Sequence, residues 1–99
     1  MWFLPSRGRP HNLGRLIAAC RVTGMVSQVC VRIDGDDRNG AAYVDHCRQA
    51  GWECEIGVRG PLSVLYNDFF RSRPDLPWYG FIADDVVPEE FETSIEIFA

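Results

Sequence analysis

Two kinds of period alternate along the chain. Short, nearly continuous apolar runs at Trp2-Phe3-Leu4, at Val29-Cys30-Val31 with Ile33, and from Trp78 to Ile82 have the length and the β-branched or aromatic content of buried strands. A fourth run differs: Trp52, Cys54, Ile56 and Val58 alternate with Glu53, Glu55 and Gly57, which predicts an edge strand with one wet face. Between the runs the period becomes helical. Leu13, Leu16, Ile17 and Cys20 follow Pro10, a residue suited to a first helical turn, with Gly24 as the stop. Val44 and Cys47 point inward on a shorter helix from Ala41 to Ala50, with Asn39 as its cap and Gly51 as its stop. Leu62, Leu65, Tyr66 and Phe69 form the stripe of a third helix that opens at Gly60-Pro61 and ends before Pro74. Pro88 opens a last helix carrying Phe91, Ile95 and Phe98, although Ser94 to Ala99 fits a strand as well.

The order β-α-β-α-β-α-β-α predicts a single α/β domain over residues 1–99, built on a parallel sheet with right-handed crossovers. In such a sheet the loops that follow the strands share one rim. That rim gathers Ser6 to Arg9, Asp34 to Asp37 and Asp84 to Asp85.

Composition removes several function classes. A formal charge of −4, with arginines spread along the chain, argues against a nucleic-acid surface. All ten basic residues are Arg, so a Walker-type phosphate loop, a Schiff base and a lysine-dependent receiver switch are excluded. No apolar stretch approaches the roughly 18 residues of a membrane helix, so no membrane span is expected. Met1 to Leu4 is too short an apolar stretch before Pro5 for a signal peptide, and a cytoplasmic location is the expectation. Cys20, Cys30, Cys47 and Cys54 form no C-x-x-C pair and fall at apolar positions, as expected of buried thiols rather than of a zinc site with His11 or His46, or of a disulfide. His11 is expected in a loop and His46 on a helix surface.

The chemistry concentrates where the last apolar run stops at Asp84 and Asp85. Two carboxylates at the carboxyl edge of a parallel sheet can hold a divalent cation and, through it, a phosphate. The competing account is that they end a strand and start the helix at Pro88-Glu89-Glu90. Arg7 and Arg9 are likewise either phosphate ligands or solvated loop charges. Asp36 and Asp37 fit turn and helix-capping acids. Asn67 also suits a helix–loop hydrogen bond, and Tyr66 suits the core.

Four stretches together carry a resemblance: Leu4-Pro5-Ser6-Arg7-Gly8-Arg9-Pro10 as a crest after strand one, Asp34 closing Val31-Arg32-Ile33, Asn67 in Tyr66-Asn67, and Ala83-Asp84-Asp85 after strand four. The chain resembles the N-terminal, nucleotide-binding half of GT-A glycosyltransferases, particularly the large inverting family 2. The resemblance implies a truncated GT-A, Rossmann-like fold, a three-layer α/β/α arrangement around a four-stranded parallel sheet of order 3-2-1-4, that binds a nucleoside-diphosphate sugar with Mg²⁺ or Mn²⁺. It places Pro5, Ser6 and Asp34 at the nucleobase, Arg7 or Arg9 at the phosphates, Asn67 and Asp84 in the nucleotide site, and Asp85 with Asp84 at the metal. Ala83 stands where the D-x-D motif has its first acid. The family's acceptor site and catalytic base belong to a second half, and no residue here matches that base.

The alternative is a non-catalytic oligomerisation or interaction module derived from such a domain, a homodimer through strand four and the C-terminal segment with Phe91, Ile95, Ile97 and Phe98. A third class, a Mg²⁺-dependent nuclease or phosphoryl-transfer domain of the Toprim type, needs an acid after strand one, where the loop offers Ser6, Arg7 and Arg9.

Overall fold

The computed structural model describes residues 1–23 and 28–83. Along the chain run β1 (Trp2–Pro5), α1 (Pro10–Thr23), β2 (Val29–Asp34), α2 (Gly40–Ala50), β3 (Glu53–Gly57), α3 (Leu62–Ser72) and β4 (Gly80–Phe81). The strands form one parallel four-stranded sheet in the order β3-β2-β1-β4, the expected order. Gly24, Asp84, Asp85 and the last helix expected from Pro88, with Phe91, Ile95, Ile97 and Phe98, lie outside the described residues.

Topology dictates the layering. The first two crossovers step in one direction, from β1 to β2 to β3, whereas the third returns past both strands to β4 on the far side of β1. Right-handed crossovers in opposite directions put their helices on opposite faces. On one face Trp2, Leu4, Val29, Val31 and Ile33 pack with Leu13, Leu16 and Ile17 of α1 and with Tyr43 and Cys47 of α2. On the other, Phe3 and Cys30 meet Leu65 and Phe69 of α3. Phe3 stacks on Phe69 with ring centroids 4.6 Å apart.

Local signals largely act where the sequence places them. Gly51 ends α2 in the left-handed conformation, φ 74°, and its N–H bonds back into the last turn. Asn39 precedes α2 but makes no side-chain capping bond; Asp37 accepts from the Asn39 N–H at 2.8 Å instead. On α2 the buried pair is Tyr43 and Cys47, one turn apart, while Val44 is half-buried. His11 belongs to the first turn of α1 and is exposed. His46 is half-buried, its imidazole lying over Gly14 where α1 and α2 meet.

Two strands depart from expectation. β4 pairs only through Gly80 and Phe81, with the Ile82 N–H donating to the Phe3 carbonyl as a last rung. Trp78 and Tyr79 are instead held by side-chain contacts: the Trp78 ring packs T-shaped with Trp2 of β1, and the Tyr79 hydroxyl donates to the Arg73 carbonyl. β3 is an edge strand as predicted, but Trp52 is its buried neighbour while Ile56 is 58% and Val58 86% exposed. The alternation therefore marks an inner face only along the first part of the run.

Candidate functional site

At the carboxyl ends of β1 and β2 the chain leaves the sheet through two loops that are tied to each other. Gly8 turns the first loop with φ 65°, a left-handed conformation that glycine adopts without strain. Its N–H donates to Asp37 Oδ2 at 2.8 Å, while Asp37 Oδ1 accepts from Asn39, so one carboxylate joins the first loop to the start of α2. Those backbone donors, Asn39 first and Gly8 next, hold the Asp37 carboxyl below its usual range. A second tie is buried: the Tyr43 hydroxyl accepts from the Arg9 N–H at 2.8 Å and shares a hydrogen bond of 2.7 Å with Ser6 Oγ.

Arg7 supplies the third tie. Its Nη1 donates to Asp34 Oδ2 at 2.6 Å and to Asp36 Oδ1 at 2.9 Å. The hydrogen bond from Arg7 holds Asp36 below the ordinary carboxylate range, and Asp36 followed by Asp34 raises the Arg7 guanidinium further above neutrality. Arg7 therefore bridges the carboxyl end of β2 and the loop that follows it while remaining exposed.

Arg32 is the residue the pattern undervalues. It breaks the apolar run of β2, lies on the α3 face, and is 7% exposed. Nη1 pairs with Glu55 at 3.0 Å and Nη2 donates to the Val58 carbonyl at 3.1 Å, while the buried Nε has no acceptor among the described residues. Gly57 makes the fit possible, because a Cβ there would overlap the guanidinium. Arg73 extends the array, reaching Glu53 at 2.7 Å and Glu55 at 3.5 Å while its guanidinium lies over the Phe69 ring.

A cleft of about 220 Å³ opens on this face, at the rim where the sheet ends. β1, β2 and their loops contribute Pro5, Ser6, Arg7, Arg9, Arg32 and Asp34; Arg59, Gly60, Leu62 and Leu65 come from the entry and first turns of α3. Of the residues singled out in the sequence, Pro5, Ser6, Arg7, Arg9 and Asp34 are thus brought together. Asn67 is exposed on α3 and does not line the cleft; Asp84 and Asp85 lie outside the described residues. Arg32 and Arg59 are additions. The available signals were an arginine inside a buried strand and another two residues before a helix-opening proline.

A broader depression of about 540 Å³ lies along β3, lined by Glu53, Cys54, Glu55, Ser72 and Arg73. Its arginine is already bonded to both glutamates, so it offers a ligand less unmet charge than the rim cleft does. Cys20, Cys30 and Cys47 are buried and Cys54 half-buried, all free thiols. Burial pushes the Cys30 and Cys47 thiols up to about 12, which suits packing groups rather than nucleophiles. Among the described residues, no group of three or more His, Cys, Asp or Glu is placed to hold a metal ion. No described helix is long and apolar enough to cross a membrane.

Compared with known protein families, with curated proteins and with solved structures, the chain matches none.

Proposed function

We propose that the chain is a nucleoside-diphosphate-sugar-binding domain of the glycosyltransferase type. The observation that supports it most is the rim cleft, where Pro5, Ser6, Arg7, Arg9 and Asp34 converge at the carboxyl ends of adjacent parallel strands. Open α/β sheets take their ligands outside those ends. In this reading Pro5 and Ser6 wall the nucleobase, Asp34 accepts from a base N–H, and arginines face the diphosphate. Asp85, with Asp84, would hold a Mg²⁺ or Mn²⁺ that offsets phosphate charge. The proposal concerns donor binding, and no residue is assigned as a general base.

Calorimetry with uridine, guanosine and thymidine diphosphates plus Mn²⁺ tests this. One nucleotide is expected to bind stoichiometrically, with Asp34→Asn weakening it about tenfold, the cost of one charge-assisted hydrogen bond. Asp85→Ala should remove the increment due to Mn²⁺. Absence of heat at millimolar nucleotide would sink the reading.

A second reading, self-association as an interaction module, draws on the β4 edge, where Phe81 is 50% and Trp78 36% exposed. A strictly monomeric species in light scattering at high concentration would count against a dimer through that edge.

A further inference from the structure

Among the described residues, the lining of the cleft is rich in arginine. The described residues contribute four guanidinium groups, Arg7, Arg9, Arg32 and Arg59, and the carboxylate of Asp34. Arg7 is spent on Asp34 and Asp36, and part of Arg32 on Glu55. Arg59 is exposed at the cleft, with Asp36 in its electrostatic range, and the Arg32 side chain, more than nine-tenths buried, keeps an Nε with no acceptor among the described residues.

A third feature points the same way. α3 begins beside Arg59 with Pro61 as its cap, which offers no side-chain acceptor, and its first turn contains no acid. The opening N–H groups of a helix lack intrahelical acceptors and carry the positive end of its dipole. A buried N–H without an acceptor is costly, so an anionic oxygen that reaches the Arg32 Nε relieves an existing deficit.

We infer that Arg59, Arg32 and the first turn of α3 form a diphosphate seat that works without a divalent cation. Its size fits: at about 220 Å³ the cleft is smaller than a site enclosing a whole drug-sized ligand, so it takes the diphosphate and leaves the rest of the molecule along the rim. Arginine suits the task because its planar fork meets two phosphate oxygens at once. Only the nucleoside attached to that diphosphate rests on the donor-binding reading above.

The experiment is calorimetry on the whole chain with inorganic pyrophosphate and with uridine, guanosine and thymidine diphosphates, each in EDTA and again in Mn²⁺. Binding is expected in EDTA, within about tenfold of the Mn²⁺ value, and Arg59→Ala should weaken it about tenfold or more, as loss of a charge-assisted contact does. Arg59 is exposed, so that variant should keep its fold, and Arg59→Lys should recover only part of the loss. Binding that vanishes in EDTA and returns with Mn²⁺ overturns the cation-free seat while keeping the donor reading. Pyrophosphate bound in EDTA as tightly as every nucleotide supports the seat and removes the donor reading. Affinity unchanged in Arg59→Ala overturns the seat outright.

Discussion

The two faces of the sheet solve different problems with the same strands. Under α1 and α2 the strands present Trp2, Leu4, Val29, Val31 and Ile33, and the layer is apolar from β4 to β2. Under α3 the apolar cluster is smaller, Phe3 and Cys30 with Leu65 and Phe69; farther along β2, and on β3, the side chains are Arg32 and Asp34 beside Glu53 and Glu55. Among the described residues, two helices pack on the first face and one on the second. Where helical cover runs out, charged groups must satisfy one another or wait for a ligand. The candidate site lies at that boundary, between the apolar patch under α3 and the charged strip beyond it.

That contrast can be broken most forcefully at its apolar end. Phe3→Ala should cost about 3–5 kcal/mol in urea unfolding, comparable with the 2–5 of Leu4→Ala on the opposite face. A loss below about 1 kcal/mol for Phe3→Ala alone would mean that α3 adds little to the core. The charged strip should respond less. Arg32→Met should cost about 2 kcal/mol, between the values for exposed and for buried pairs, because Glu55 keeps partial contact with water. Adding Glu55→Leu should recover most of that loss, which distinguishes a stranded charge from lost packing.

On the α1 and α2 face the polar tie through Tyr43 is the exception to be tested. Tyr43→Phe should cost about 1 kcal/mol and speed hydrogen exchange at the Arg9 amide, whose acceptor it removes. Smallest is the effect of acid on the loop ties. Asp36 and Asp37 have folded values below their unfolded ones, so their contribution is complete above the unfolded value of about 3.9 and is lost as pH falls through the lower folded ones. The Gly8 amide resonance should therefore stay constant at neutral pH and move only in acid; a shift near pH 6 would contradict the assignment to Asp37.

Much of this was written locally. Pro10, Gly51 and the runs at Trp2, Val29 and Leu62 marked real element boundaries, because periods of two and 3.6 report which face of an isolated segment is apolar. The same logic misjudged Val44, since a helix tells which side is inward but not that a tyrosine hydroxyl is needed there to hold Ser6 and Arg9. It also overextended strand four, where Trp78 and Tyr79 satisfy strand composition yet are held by side-chain contacts to Trp2 and Arg73 rather than by ladder pairing. Asp36 and Asp37 were legible as turn and capping acids. That Asp37 reaches across to Gly8 was not.

By itself, then, the sequence determined the order of elements, the parallel sheet with β3 at its edge, and the gathering of Ser6 to Arg9 with Asp34 to Asp37 on one rim. Those follow from periodicity, turn chemistry and the handedness of crossovers, which are properties of short segments and of their succession. Only the tertiary structure decided how the charges were spent: Arg7 bonded to Asp34 and Asp36, Arg32 to Glu55, and Arg59 beside a cleft at the start of α3. An ion pair is a choice among many possible partners, and that choice is made by burial and reach once the strands are side by side.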